Sequence, residues 1–111
     1  MNYRRGDVVT CVPSGEYGKP RPAVVLQSDL FNATHASVTL CPLTSHGIEA
    51  PLFRVPLQPS PANGLKLESQ AMADKITTLR AERVGAVIGH LSESDFERVE
   101  AAMLLWLGLR A

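Results

Sequence analysis

Residues 86–109, AVIGHLSESDFERVEAAMLLWLGL, contain a change of hydrophobic period that decides the fold class. The first six residues are apolar and Gly-flanked, which is typical of a strand, whereas later apolar residues recur at intervals of three and four, as on one face of a helix. Ser92 and Ser94 each precede a carboxylate by three residues, which is a capping signal, and Gly108 is a stop signal. The pattern predicts a helix from about Glu93 to Leu107 whose apolar stripe packs on the core unless part of it is left for a partner. The stripe consists of Phe96, Val99, Met103 and Trp106.

Upstream of this helix the chain has the pattern of successive short strands. Each run is apolar or alternating, and turn-forming residues such as Gly, Pro and Asn separate the runs. Pro56 places its run at a sheet edge or strand end, because proline has no N–H to donate to a ladder. The predicted strand segments are 7–12, 22–27, 37–43, 52–57, 65–79 and 86–91. We therefore expect a mostly β (α+β) fold, a small, partly open barrel of five to seven short antiparallel strands with a C-terminal α-helix.

The composition is that of an ordinary globular chain. Of its 111 residues, 45% are hydrophobic and 20% charged, so we expect a single domain over residues 1–111 and neither a disordered tail nor a fibre. Eleven basic and eleven acidic side chains give a net charge of zero, so the overall charge gives no sign of a polyanionic partner, and any nucleic-acid interpretation depends on how the charges are distributed. Four basic residues gather in sequence around the first two strands, namely Arg4, Arg5, Lys19 and Arg21. This distribution is compatible with a modest basic face and equally with an ordinary solvated surface.

The sequence also predicts the compartment and the absence of bound groups. Its longest apolar stretches are too short to cross a bilayer, and the first residues lack an apolar secretory segment. We therefore expect a cytoplasmic protein with no membrane partner, in which Cys11 and Cys41 are reduced core thiols. Three His and two distant Cys lack the spacing of metal ligands, so we expect no metal site, and we expect no cofactor.

Five segments occur in an order that is recognisable. They are RGDVV at 5–9, GKPRPAVVLQ at 18–27, VTLCPLTS at 38–45, SQAMADKITTL at 69–79 and RVGAVIGHL at 83–91 before the terminal helix. In this order they resemble the MazF/PemK family of toxin endoribonucleases. The resemblance implies an SH3-like barrel of the CcdB–MazF type, a homodimer, metal-independent cleavage of single-stranded RNA, and control by a cognate MazE-like antitoxin.

The chemistry of that reaction fits two of these residues. Cleavage of RNA through its own 2′-hydroxyl needs a proton acceptor, stabilisation of the charged phosphorane, and a proton for the leaving 5′-oxygen. Arg21 offers a planar, charged fork that matches phosphate oxygens, and Thr44 offers a hydroxyl at a strand end. The resemblance implies that Arg21 and Thr44 are the catalytic pair.

Further residues are assigned to RNA by resemblance and by chemistry. Tyr17 offers a stacking face and Glu16 can accept from base amino groups, so the loop from Ser14 to Lys19 is expected to read the RNA sequence. Lys75 and Thr77 point to one face if their segment is a strand. The expected RNA-binding residues are Glu16, Tyr17, Lys19, Ser45, Ser69, Asp74, Lys75 and Thr77.

Simpler interpretations and other function classes stay open at this point. Taken alone, Arg21 could be a surface cation and Thr44 a turn residue bonded to its own backbone. A toxin resembling CcdB, which binds DNA gyrase without cutting RNA, is one alternative, but the Lys-Pro-Arg-Pro run and Thr44 favour phosphate chemistry. A barrel-shaped nucleic-acid or peptide-binding module is the other, and 5% aromatic residues with zero net charge argue against it.

Overall fold

Seven strands and a C-terminal helix organise residues 2–13 and 19–110, which are the residues described by the computed structural model. The strands are β1 (Asp7–Cys11), β2 (Arg21–Val25), β3 (Ser37–Thr44), β4 (Arg54–Leu57), β5 (Ser69–Met72), β6 (Thr77–Arg80) and β7 (Val84–His90). The helices are α1 (Asp29–Asn32) and α2 (Glu93–Trp106), and two 3₁₀ turns lie at Ala73–Lys75 and Ala81–Arg83. None of the described helices is long and apolar enough to span a membrane.

The strands form one antiparallel, open sheet in the order β4-β5-β3-β2-β1-β7. The long strand β3 pairs with β6 along Ser37–Leu40 and with β5 at Leu43 and Thr44, so it has two partners on one side. Strand β4, which contains Pro56, is an edge strand of this order. The expected mostly β architecture with a C-terminal helix is confirmed.

The turn after β4 packs against the far edge strand β7. The backbone N–H of His90 donates to the carbonyl oxygen of Ala62 at 2.8 Å. A Cβ on Gly89 would lie 2.2 Å from the carbonyl carbon of Asn63, and Gly64 has a φ of +70°. Only glycine allows two backbones to approach this closely, so the absence of a side chain at Gly89 lets the turn that follows β4 pack directly on the backbone of β7.

Alternation along the strands produces two apolar clusters, one on each face of the sheet. The larger cluster lies under α2 and includes Val8, Val24 and Cys41 together with Val99 of the helix. The smaller cluster lies on the opposite face and consists of Tyr3, Val9, Cys11, Ala23, Val25, Val38, Leu40 and Leu79. The two cysteines therefore belong to opposite faces.

Cys11 and Cys41 are both buried and neither forms a disulfide, as the sequence predicts. Burial raises the pKa of the Cys41 thiol to about 12, and the negative charge of Asp74 contributes to this increase. A thiol with this pKa stays protonated at neutral pH and behaves as a small apolar side chain.

Helix α2 begins as predicted. The Oγ of Ser92 accepts a hydrogen bond from the N–H of Asp95 at 3.1 Å, and Gly108 follows the helix with a φ of +74°. Val99 is fully buried, but Trp106 at the C-terminal end is half exposed and packs obliquely on Phe53 with ring centroids 5.3 Å apart. The stripe therefore packs in the core at Val99, whereas its last member, Trp106, stays half exposed, which agrees with the alternative that part of the stripe is left for a partner.

The segment 65–79 differs from the expectation of one β segment. Strands β5 and β6 are separated by the 3₁₀ turn Ala73–Lys75, so Lys75 and Thr77 are not on one face of one strand. The turn has tertiary partners, since the N–H of Ala73 donates to the Phe53 carbonyl and Asp74 pairs with Arg54. Contacts with a segment about 20 residues away override the local strand pattern.

Candidate functional site

Arg21 and Thr44 lie on neighbouring strands in a register that brings them together. Strands β2 and β3 pair Ala23 with Pro42 and Val24 with Cys41, and continuing that register by two residues sets Arg21 opposite Thr44. Thr44 is in turn paired with Gln70 of β5. We call these three residues, Arg21, Thr44 and Gln70, the cross-strand row.

Arg21 and Thr44 lie on the face of the sheet that carries the smaller apolar cluster, whereas Gln70 borders a surface pocket that residues of α2 also line. Arg21 shares its side of β2 with Ala23 and Val25, which belong to the smaller apolar cluster. The row begins where that cluster ends, with Arg21 exposed and Thr44 half-buried. Directly opposite residues on paired strands have Cβ atoms about 5 Å apart, so one phosphate group can contact both side chains.

The hydroxyl of Thr44 is oriented by the turn that follows it. Its Oγ1 accepts a hydrogen bond from the N–H of His46 at 3.1 Å. This contact uses one lone pair and leaves the hydroxyl proton available for donation to a ligand oxygen. Ser45 and His46 are exposed beside it.

Gln70 was not singled out by the sequence. Its side-chain amide donates from Nε2 to the carbonyl of Ile48 at 3.0 Å, and its Oε1 accepts from the N–H of Ile48 at 3.1 Å. We call these two bonds the Gln70–Ile48 pair. No sequence signal links Gln70 to Ile48, because the two residues come together only when β5 pairs with β3.

Four of the expected RNA-binding residues lie at different distances from the row, namely the exposed Lys19, Ser45 and Lys75 and the half-buried Thr77. Lys19 and Ser45 are exposed and lie within two residues of Arg21 and Thr44, respectively. Thr77 pairs with Leu40, four residues before Thr44 on β3, which is about 13 Å along the strand at about 3.3 Å per residue. Lys75 is exposed on the 3₁₀ turn between β5 and β6. Thr77 is thus too far to contact the same phosphate as Thr44.

Two other members have partners within the protein. Ser69 is buried, its Oγ donates to the Leu67 carbonyl at 2.9 Å, and the alternation of β5 turns it to the face opposite Gln70. Asp74 accepts from Arg54 at 2.8 Å and 3.2 Å, and both side chains are largely buried. These hydrogen bonds lower the pKa of the Asp74 carboxyl and raise the pKa of Arg54. Glu16 and Tyr17 lie outside the described residues.

Of the two interpretations of the basic residues near the first two strands, the structure does not support a single face that contains all of them. Arg4 and Arg5 precede β1, whereas Arg21 pairs with Cys11 at its far end. Arg5 forms an ion pair with Glu100 of α2 and lies 4.5 Å above the ring of Phe96. In residues 2–13 and 19–110, no group of three or more His, Cys, Asp or Glu side chains is placed to hold a metal ion.

Comparison with known proteins gives consistent results over nearly the whole chain. The family model described as "PemK-like, MazF-like toxin of type II toxin-antitoxin system" matches residues 4–107. The chain is 44% identical over 107 residues to the probable endoribonuclease MazF of Mycolicibacterium smegmatis, covering 96% of this chain and 97% of the relative. It is 31% identical over 115 residues to the endoribonuclease MazF9 of Mycobacterium tuberculosis, with the same coverage.

A solved structure agrees with these relatives. It is an endoribonuclease in complex with its cognate antitoxin from mycobacterial species, and it superposes with a TM-score of 0.82 at 26% identity. The superposition covers 98% of both chains.

Proposed function

Since the chain belongs to the PemK-like, MazF-like family of type II toxins, we propose that it is a metal-independent, sequence-specific endoribonuclease that cleaves single-stranded RNA and inhibits translation. The observation that carries this proposal is the juxtaposition of Arg21 and Thr44 at the edge of the smaller apolar cluster. The comparisons give no support to a gyrase-binding toxin.

In the proposed reaction the 2′-oxygen of the substrate forms a bond to phosphorus while the bond from phosphorus to the 5′-oxygen breaks. The 2′-hydroxyl loses its proton and the leaving 5′-oxygen gains one, so the products are a 2′,3′-cyclic phosphate and a 5′-hydroxyl. Arg21 stabilises the added charge on the non-bridging oxygens through its guanidinium fork. Thr44 donates its hydroxyl proton as a hydrogen bond to the same phosphate, because its Oγ1 already accepts from His46.

Mapping the cut ends of RNA tests the reaction directly. The purified chain is incubated with a mixed-sequence single-stranded RNA in the presence of a chelator, and both new ends are identified. We expect cleavage at a recurring short sequence, with a 5′-hydroxyl and a cyclic phosphate at the ends. Loss of cleavage in chelator that is restored by a divalent cation would contradict metal independence.

A substrate with one 2′-deoxyribose at the cut site tests the attacking group. This substrate lacks the nucleophile, so we expect it to resist cleavage at that position while neighbouring sites are still cut. Efficient cleavage at the deoxyribose would mean that water, and not the 2′-hydroxyl, attacks phosphorus.

We also propose that the toxin acts in the cytoplasm as a homodimer controlled by a MazE-like antitoxin. The antitoxin is supported by the related endoribonuclease solved with its cognate antitoxin. The homodimer is supported by large apolar side chains left exposed on the edge strand β7 and at the end of α2, namely Val87, Ile88, Trp106 and Leu107. Sedimentation of the chain alone and with a disordered acidic antitoxin segment tests both associations.

A further inference from the structure

The turn between β3 and the chain leading to β4 is held at both ends. At its start, Thr44 is fixed in the ladder opposite Gln70. At its end, both backbone hydrogen-bonding groups of Ile48 are satisfied by one side-chain amide, that of Gln70, at 3.0 Å and 3.1 Å. The same glutamine therefore lies opposite the first residue of the turn and bonds the last.

The interior of the turn packs closely on that amide. A Cβ added to Gly47 would lie 3.0 Å from Nε2 and 3.1 Å from Cδ of Gln70. Within the turn, the N–H of His46 donates to Thr44 Oγ1 at 3.1 Å. The backbone from Thr44 to Ile48 is short enough that displacement of Ile48 also moves the His46 N–H.

We propose that Gln70 is a positioning residue for Thr44. The Gln70–Ile48 pair holds the turn so that His46 donates to Thr44 Oγ1, and this bond directs the hydroxyl proton of Thr44 towards the scissile phosphate. The inference rests on the proposed function, and it assigns to Gln70 no contact with RNA.

Replacement of Gln70 tests the proposal through kinetics. Gln70→Ala removes both bonds to Ile48, so the Thr44 hydroxyl is misoriented in the transition state. We expect kcat to fall roughly ten- to a hundred-fold, the range expected when a catalytic group is misplaced, with KM and the melting temperature nearly unchanged. A rise in KM at constant kcat would instead indicate a direct interaction with RNA and would overturn the proposal.

Gly47→Ala tests the same contact from the other side, without changing Gln70. The added methyl group pushes the amide away from Ile48, so kcat should fall as in Gln70→Ala. The double variant should have the same kcat as Gln70→Ala alone. Without the Gln70 amide, the methyl group at position 47 has nothing to displace and the bonds to Ile48 are already lost. Additive reductions in kcat would overturn the proposal. Glu68→Ala, at an exposed position two residues before Gln70, is the matched control and should retain wild-type kcat.

Amide hydrogen exchange provides a readout that does not depend on catalysis. The N–H of Ile48 should exchange faster in Gln70→Ala and in Gly47→Ala than in the wild type, while amides of β2 stay protected. Unchanged exchange at Ile48 together with reduced kcat would overturn the positioning role. If the wild-type protein does not cleave RNA, both the proposed function and this inference are overturned. If the wild-type protein and Gln70→Ala are equally active, only this inference is overturned.

Discussion

At the scale of single residues, Arg21 and Thr44 are predicted to act on the same phosphate. Arg21→Ala and Thr44→Ala should each reduce kcat by roughly a hundred-fold or more, because each removes a donor to the developing charge. Arg21→Lys should recover little activity, since an ammonium lacks the bidentate fork. Cleavage of a defined RNA is the measurement, and circular dichroism and thermal melting serve as controls of the fold. Wild-type turnover in either alanine variant would exclude this pair.

The ion pair between Arg54 and Asp74 is predicted to contribute to stability. Asp74→Asn leaves the guanidinium in a largely buried position without its counter-charge, so we expect the free energy of unfolding to fall by about 3 kcal/mol at neutral pH. The pair Arg80–Glu82 offers a control, because both side chains are mostly exposed. Glu82→Gln should change stability by less than about 0.5 kcal/mol.

The same pair predicts a pH dependence. The folded-state pKa of Asp74 is lowered, chiefly by the hydrogen bond from Arg54, so its stabilising effect is fully present above the unfolded pKa of about 3.9. The effect disappears as pH falls through the lowered folded pKa. Wild type and Asp74→Asn should therefore differ most between about pH 5 and pH 7, and their melting temperatures should converge below about pH 4. A difference that stays constant down to the lowest pH would contradict the assignment.

At the scale of elements, the packing of β7 on the turn after β4 depends on Gly89. In Gly89→Ala the methyl group meets the backbone of Asn63, which cannot rotate away, so we expect stability to fall by about 2–3 kcal/mol. Gly85 lies on the same strand, but a Cβ there first meets a side-chain atom, Thr10 Oγ1, which can rotate away at the cost of its hydrogen bond from the Ala86 N–H. Gly85→Ala should therefore be less destabilising. Chemical denaturation measures the free energy of unfolding of both variants. Equal destabilisation would show that the contact of Gly89 with the backbone of Asn63 has no specific effect on stability.

The secondary-structure elements also differ in how well the sequence predicts them. The strands and the Ser92 cap were predictable, because alternation, turn residues and capping depend on neighbours a few residues away. The 3₁₀ turn at Ala73–Lys75 was not, because it depends on Arg54, which pairs with Asp74 across 20 residues. Arg21 and Thr44 came from the family resemblance, whereas the Gln70–Ile48 pair has no local signal and needed the folded sheet.

At the scale of the whole molecule, zero net charge makes the local charge near the site important. Lys19 is exposed two residues before Arg21, so Lys19→Glu should weaken RNA binding and reduce the salt slope by about 0.7 for each phosphate that is no longer neutralised. Antitoxin binding should weaken in parallel if an acidic segment covers the same surface. Fluorescence anisotropy at several salt concentrations measures both, with Lys66→Glu, at an exposed position beside the turn that packs on β7, as control. If Lys19→Glu does not change the salt dependence of RNA binding, the RNA phosphates do not bind near Lys19.

The cross-strand row has a consequence for the cell that makes this protein. Its residues come from β2, β3 and β5, so Arg21 leaves the ribosome first and Gln70 last. An incomplete chain that ends before β5 contains Arg21 and Thr44 but lacks the side chain that holds Ile48 in place. Because β7 and α2, which complete the sheet and the larger apolar cluster, follow β5 in the chain, we expect nuclease activity only when synthesis is nearly complete, so an unfinished chain should not cleave the message from which it is translated.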